Sequence, residues 1–171
     1  MNNNAIAELA KIAAIARTFL LTVWPTWQPE DAAADRNLSE NTCGRSSVFL
    51  CKLLRDQGHS ADFVSGNPLN GPLSEEGTAE EGLFDGHRWC SHAWVRSGSY
   101  IVDITADQFG LPPIIVTDHR DSRYRMSTKD LATPEAQARR HKTAEKLWPK
   151  WLDWQACAVT TPLPQNSQEA Q

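Results

Sequence analysis

One cysteine in this sequence stands where a nucleophile could be activated by the backbone alone. Cys43 begins a stretch, 43–57, whose apolar residues recur at helical spacing, and Gly58 supplies the stop. The first turn of a helix carries a partial positive charge, which favours a thiolate over a thiol. We expect Asn41 or Thr42 to cap this helix by accepting a hydrogen bond from a free backbone N–H.

A histidine and an aspartate lie on two predicted strands that a tight turn joins. Residues 89–105 alternate in polarity and contain a Ser-Gly-Ser turn signal. A turn at Ser97–Gly98 places His92 directly opposite Asp103, whereas a turn at Gly98–Ser99 makes them diagonal neighbours. Both registers bring the imidazole within reach of the carboxylate, and only a three-residue loop would separate their faces.

These three residue types form the set that covalent catalysis at a carbonyl requires. A carboxylate inside an apolar run, as Asp103 is between Val102 and Ile104, needs a buried partner. An imidazole held by a carboxylate can act as a general base toward a thiol. A lone buried cysteine or histidine is more often structural, but the combination favours a nucleophile, a base and an orienting acid.

The same reasoning predicts where the oxyanion of a tetrahedral intermediate would be held. The backbone N–H of Cys43, at a helix start, is one natural donor. Trp94 shares the face of His92 by strand alternation and is expected to line the groove. The sequence leaves the second donor open among four side chains: Trp24, Gln28, Asn37 and Asn41.

The order and local sequence of these residues resemble a known family. Three segments together resemble the transglutaminase-like branch of the papain-like cysteine-enzyme superfamily: Asn41-Thr42-Cys43-Gly44, His92-Ala93-Trp94-Val95 and Ile101-Val102-Asp103-Ile104-Thr105. The resemblance spans about 43–109 and leaves out the first helix and the C-terminal third. It implies an α+β, papain-like or transglutaminase-like fold, in which the nucleophile helix packs on a small antiparallel sheet.

The resemblance also implies a reaction and the role of each residue. Cys43 would be the nucleophile, His92 the base and later the acid, and Asp103 the residue that orients the imidazole. The reaction would be acyl transfer at the amide of a peptide or protein. Hydrolysis, by a peptidase or deamidase, is the favoured form, and transfer to an amine is the second. No cofactor or metal is required. The alternative is an inactive relative that binds a peptide or partner protein in the same groove.

The rest of the chain divides into elements that must position these side chains. One domain, 1–161, is expected, with a disordered polar tail at 162–171. Apolar spacing predicts helices, and short apolar runs predict strands. The predicted elements are helix 4–23, an irregular approach 24–42, strand 61–66, strand 114–117, helix 134–148 and a last strand 155–160. Trp148, Trp151 and Trp154 follow helical spacing and are expected in the core.

A long segment without periodicity, 67–88, leads directly into the predicted histidine strand. It is rich in Gly and Pro and contains five acids: Glu75, Glu76, Glu80, Glu81 and Asp85. One hypothesis is a mobile lid that favours a cationic substrate, and the other is a solvated surface excursion.

Composition excludes several other classes of protein. The 171 residues contain 17 Lys or Arg and 21 Asp or Glu, a net charge of −4 that argues against a general nucleic-acid binder. No apolar stretch approaches the roughly 18 residues of a membrane span, and the opening Met1-Asn2-Asn3-Asn4 lacks the positive region typical of a secretory signal peptide, so a cytoplasmic location is expected. The nine Lys or Arg against five Asp or Glu in 118–150 are read as solvated helix faces.

Two other uses of the cysteines are less favoured. Four cysteines in a chain of this size with a predicted cytoplasmic location are not expected to form a disulfide framework. Zinc ligation by His87, Cys90 and His92, completed by Cys43 or Cys51, lacks the paired Cys-x-x-Cys spacing of structural zinc sites.

Overall fold

A computed structural model describes residues 2–31, 33, 35–69, 73, 79–127 and 133–160, with side chains to 157. The predicted tail, 162–171, lies outside the described residues. The elements in chain order are α1 (Asn3–Val23), a 3₁₀ turn (Trp24–Trp27), α2 (Cys43–Asp56), β1 (Asp62–Gly66), β2 (Gly82–Phe84), β3 (Trp89–Cys90), β4 (His92–Ser97), β5 (Tyr100–Asp103), a 3₁₀ turn (Ala106–Phe109), β6 (Ile115–Asp118), β7 (Tyr124–Arg125) and α3 (Pro134–Thr160).

The strands form two antiparallel sheets, so the fold class is α+β as predicted. The larger sheet has the order β1-β4-β5-β6, and the smaller one has the order β3-β2-β7. Val95 and Val102 of the larger sheet pack into a core with the three helices. Their neighbours Trp94 and Ile101 point to the opposite face and pack against the small sheet. The larger sheet is therefore covered by helices on one face and by the small sheet on the other.

Aromatic rings join the three helices into one layer. The rings of Phe19 in α1 and Phe49 in α2 lie 5.1 Å apart, and both make edge contacts with Trp151 of α3. Trp148 and Trp154 pack against the same core, which confirms the predicted tryptophan face. Edge-to-face aromatic pairs stabilise a core beyond their buried area, by about 0.5–1.5 kcal/mol each.

The predicted last strand, 155–160, is wrong, because α3 continues to Thr160. The tryptophan face at helical spacing carries the helix past Pro149, which lies inside it. A proline in a helix loses one backbone hydrogen bond, and the packing of Trp151 and Trp154 offsets that loss. Tertiary packing here overrides the local preference for a break.

The segment 67–88 is more ordered at its end than the sequence predicts. Residues Gly82–Phe84 form β2 and pair with both β3 and β7. Two glycines allow this close packing: a Cβ on Gly82 would lie 2.1 Å from the carbonyl oxygen of Cys90, and one on Gly66 would lie 2.2 Å from the nitrogen of Gly82. Cys90 consequently belongs to the small sheet, and the histidine strand begins only at His92.

No helix in the described part of the chain combines the length and the apolar character needed to cross a lipid bilayer.

Candidate active site

The turn between β4 and β5 decides how the histidine meets the aspartate. Val95 pairs with Val102 and Ser97 with Tyr100, so the turn residues are Gly98 and Ser99. Gly98 adopts a positive φ of 57°, which a glycine accepts without strain. This is the second of the two predicted registers, and it makes His92 and Asp103 diagonal neighbours.

The His92–Asp103 contact is short and closed to solvent. Nε2 of His92 lies 2.7 Å from Oδ2 of Asp103, and both side chains have 0 % of their surface exposed. The edge of Phe109 and the face of Trp94 lie against the imidazole, with ring centroids 5.2 Å and 6.2 Å away. A charged or strongly polar pair this deeply buried is expensive to desolvate unless both partners are satisfied.

The second nitrogen of His92 is the one left for Cys43. Nδ1 is buried and makes no hydrogen bond of normal geometry. Burial by itself lowers the pKa of His92, but the charge of Asp103, its hydrogen bond and the nearby Cys43 thiol raise that pKa to about 9. Catalytic hydrogen bonds are often long before substrate binds, so a loose thiol–imidazole contact is what an unliganded site would have.

Asp103 is held by more partners than the sequence indicates. Its Oδ1 accepts a hydrogen bond from the backbone N–H of Thr105 at 2.9 Å, and its Oδ2 accepts a second bond from the hydroxyl of Tyr124 at 2.9 Å. Burial alone raises the pKa of Asp103, yet the charge of His92 and these hydrogen bonds bring it below the ordinary value. Burial and the Asp103 carboxylate raise the pKa of Tyr124, which therefore stays a hydrogen-bond donor.

The sequence gives no indication of the role of Tyr124, because the small sheet is what brings its hydroxyl to Asp103. Tyr124 lies in β7, 21 residues beyond Asp103, and reaches the site only because β7 pairs with β2. An aromatic hydroxyl in a short polar stretch gives no sequence signal of this contact.

Cys43 begins α2, as predicted, and its side chain is half-buried. The hydroxyl of Ser47, one turn further along the helix, donates to the carbonyl oxygen of Ala93 at 2.9 Å. Ala93 follows His92 in β4, so this buried bond fixes the nucleophile helix against the histidine strand.

The predicted side-chain cap of α2 is wrong. Thr42 occupies the cap position but makes no capping hydrogen bond, and its hydroxyl donates instead to the carbonyl oxygen of Ser39 at 2.7 Å. Asn41 does not cap either, because it adopts the left-handed conformation with a φ of 61°. The Thr42 side chain thus stabilises the turn before the helix, and the N–H groups of the first turn of α2 have no side-chain cap.

A partly buried ion pair holds the turn before Cys43. Arg17 of α1 contacts Asp107 through both of its terminal nitrogens, at 2.6 and 3.1 Å. Asp107 also accepts hydrogen bonds from Ser39 at 2.8 Å and from Asn37 at 3.3 Å. Because Asp107 follows Asp103 by four residues, this network ties the nucleophile turn to the chain that carries the orienting acid.

The candidate oxyanion side chains are mostly committed elsewhere. Gln28 donates its amide to the carbonyl oxygens of Leu38 and Glu40, at 2.9 and 3.3 Å, so it holds the approach loop. The amide of Asn37 donates to Asp107, and the indole N–H of Trp24 donates to Ser46. Asn41 is exposed, and its backbone N–H is 3.4 Å from Oε1 of Gln108. Asn41 is the one of the four whose side chain has no assigned hydrogen bond in the described structure.

Trp94 does not line the groove, contrary to the prediction. It is 3 % exposed and makes an edge contact with the ring of Tyr124, with centroids 5.2 Å apart. The small sheet covers the face that strand alternation left open, so Trp94 supports His92 from behind.

A groove with a volume of about 1290 Å³ leads away from Cys43. Its walls come from α2, from β1 and from the first half of α3, and His92 and Ala93 are among the residues that line it. A Cβ added to Gly44 would meet no atom within 4 Å, so the groove is open beside the thiol. A groove of this size can accommodate several residues of an extended chain.

The other predicted uses of these residues find little support. Within the described residues, no three His, Cys, Asp or Glu side chains are grouped so that they could hold a metal ion. His87 is exposed, and the Cys90 thiol contacts Asp85 at 3.4 Å instead. Of the acidic loop, Glu75 and Glu76 lie outside the described residues, and the lid hypothesis therefore stays a prediction.

No protein-family model, no curated protein and no solved structure matches this chain. The proposed function therefore depends on the geometry of the site alone.

Tyr124→Phe is expected to destabilise the fold while leaving the His92–Asp103 pair in place. A buried hydrogen bond to a charged group contributes about 1.5–3 kcal/mol, and urea denaturation measures this loss. Tyr100→Phe is the matched control, because the Tyr100 hydroxyl accepts only an exposed bond from the backbone of Asn2. Equal stability of the two variants would mean that Tyr124 does not hold Asp103.

Proposed function

We propose that this protein catalyses cysteine-dependent acyl transfer at an amide of a peptide or protein, with hydrolysis as the principal reaction. The observation that carries the proposal is the buried His92–Asp103 pair, bonded through Nε2, with Nδ1 left for a cysteine at the start of a helix. This arrangement combines a nucleophile, a base and an orienting carboxylate. It also supports a papain-like or transglutaminase-like fold as the finer description of the α+β architecture.

The raised pKa of His92 determines the resting state of the proposed enzyme. With a pKa of about 9, the imidazole is protonated at neutral pH and can pair with a Cys43 thiolate. The two hydrogen bonds and the charge pair at Asp103 hold the imidazolium in one orientation. With an imidazole already held beside Cys43, the reaction needs no base from outside this site.

The proposed reaction proceeds in two steps. The Cys43 thiolate attacks the amide carbonyl carbon, and the backbone N–H of Cys43 stabilises the oxyanion. Nδ1 of His92 then gives its proton to the leaving nitrogen, the C–N bond breaks, and a thioester with Cys43 remains. His92, now neutral, removes a proton from water as that water attacks the thioester, and the Cys43 thiolate leaves. An amine in place of water gives the transfer reaction.

The test of this proposal is the reactivity of Cys43 relative to the other three thiols. Cys157 is exposed, whereas Cys51 and Cys90 are buried. Access alone would make Cys157 react fastest, so it serves as an internal reference. We expect iodoacetamide to modify the half-buried Cys43 before Cys157 at a pH well below the ordinary thiol pKa of about 8.5, as peptide mass spectrometry would detect.

His92→Gln is the variant that separates activation from exposure. Without the imidazolium, Cys43 should lose its advantage over Cys157 at low pH. Slow labelling of Cys43 in the unmodified protein, at or below the rate of Cys157, would favour the alternative of an inactive relative that binds a peptide in the groove.

A further inference from the structure

A second, smaller pocket, here called the basic pocket, lies between the end of α1, the first turn of α2 and the middle of α3. Its volume is about 190 Å³, enough for a carboxylate or a phosphate group with some of its water. Its polar lining consists of Arg45, Lys146, Lys150 and Thr143.

The charges around the basic pocket are all of one sign. No Asp or Glu lines it. Arg17, Arg36 and Arg123 each pair with a carboxylate within 2.8 Å. Within the part of the chain that the structure describes, the three cations of the basic pocket form no ion pair, although the chain has a net charge of −4.

One wall of the basic pocket is held in place by an aromatic ring. The guanidinium of Arg45 lies 4.1 Å from the centre of the Trp27 ring, an arrangement that fixes its position while leaving its N–H groups free to bind an anion. Lys146 and Lys150 are one helical turn apart on α3 and therefore project on the same side. A bound anion would meet positive charge from two elements.

The basic pocket is close to the candidate active site. Arg45 follows Cys43 by two residues in the same first turn; burial lowers the pKa of Arg45, and its electrostatic interaction with nearby Cys43 offsets part of that effect. A substrate bound at the thiol could therefore extend over the start of α2 and reach the basic pocket.

Two acids of the 67–88 segment, Glu80 and Asp85, have partners of their own away from the basic pocket. The acids of this segment suggest a cationic substrate from the sequence alone, but Glu80 pairs with Arg125, and Asp85 accepts hydrogen bonds from the backbone N–H groups of His87 and Arg88. Neither of these carboxylates lines the groove or the basic pocket.

We propose that the basic pocket is an anion-binding subsite that holds a carboxylate of the substrate, which makes an acidic peptide amide the preferred substrate class. This inference rests on the proposed acyl-transfer function. Arg45 supplies directed N–H donors, and Lys146 and Lys150 supply charge, whereas the Thr143 hydroxyl donates to the carbonyl oxygen of Arg139 in its own helix.

The experiment compares two thiol probes that differ only in charge. The α-amides of N-iodoacetyl-glutamate and N-iodoacetyl-glutamine, of which only the first carries a carboxylate, are reacted with the full chain, and the rate of modification at Cys43 is measured for each. We expect a preference of about three- to tenfold for the glutamate probe, because each exposed charge pair contributes little by itself. The preference should disappear in the double variant Lys146→Gln/Lys150→Gln and persist in Lys142→Gln, a control on the same helix whose side chain does not line the pocket.

Titration with inorganic phosphate, followed by the NMR shift of the Thr143 methyl group, separates this inference from the acyl-transfer proposal. A shift that saturates in the unmodified chain and is absent in the double variant supports the subsite, even if Cys43 reacts with neither probe and the acyl-transfer proposal fails. Equal rates with the two probes in the unmodified chain, or a preference unchanged in the double variant, overturn it.

Discussion

Cys43→Ala is expected to abolish the burst of p-nitrophenol that the unmodified protein should release from p-nitrophenyl acetate. This activated ester needs no specific recognition, so it tests the nucleophile without knowledge of the natural substrate. The thiolate would attack the ester carbonyl and expel p-nitrophenolate, which leaves an acetyl group on Cys43. Alanine removes the sulfur atom that forms this bond, so the release of p-nitrophenol should fall to the uncatalysed rate.

The control for this prediction is Cys157→Ala, which removes an exposed thiol far along α3. Its burst should equal that of the unmodified protein. Mass spectrometry of the quenched reaction should find an acetyl group on the Cys43 peptide in both the unmodified protein and Cys157→Ala. A burst that survives Cys43→Ala, or disappears with Cys157→Ala, would contradict the assignment of the nucleophile.

The hairpin and the nucleophile helix could be predicted because their signals are local. Period-two alternation and a Gly-Ser turn specify the pairing of β4 with β5, and apolar residues at helical spacing specify α2. The sequence also brought His92 and Asp103 together in either of two registers. What it left undecided was which register forms, and the positive φ of Gly98 belongs to the one that does.

The surroundings of the pair could not be predicted, because they depend on contacts between distant segments. Tyr124 reaches Asp103 through the small sheet, and Arg17 reaches Asp107 across 90 residues of sequence. The burial of Trp94 follows from the same small sheet, whose strands are only two or three residues long. Strands this short carry too few residues for a periodic pattern to be recognised.

The burial of His92 with Asp103 is itself an argument for function. A buried ion pair is weak evidence for stability, because desolvation of the two charges can exceed their mutual attraction. Two apolar side chains of similar volume would fill the space between β4 and the small sheet. A histidine with Nδ1 unbonded is an arrangement that a purely structural pair would not need.

Asp103→Asn is expected to lower the pKa of His92 from about 9 and to reduce the reactivity of Cys43 at neutral pH by about a hundredfold or more. Burial opposes protonation of His92, and the charge of Asp103 is the principal effect that outweighs it. Without that charge the imidazole becomes neutral at pH 7, and it can no longer pair with a thiolate.

Asparagine cannot reproduce the hydrogen bonds of Asp103 at this position. Oδ1 faces the N–H of Thr105, and Oδ2 faces both His92 and the Tyr124 hydroxyl. An amide NH₂ on either side would meet a donor, so one buried donor would lose its acceptor, or the imidazole would take the tautomer that carries its proton on Nδ1. The first outcome weakens the support of the imidazole, and the second removes the base that Cys43 requires.

NMR titration of the His92 ring and the pH dependence of iodoacetamide labelling at Cys43 measure these effects. The pair should also stabilise the unmodified fold fully below the ordinary histidine pKa of 6.5, and this contribution should disappear as pH rises through about 9. The melting temperature should therefore fall over that interval in the unmodified protein but not in Asp103→Asn, with Tyr124→Phe as the control that keeps the carboxylate. If Asp103→Asn left both the His92 titration and the labelling profile unchanged, Asp103 would have no part in orienting or charging the imidazole.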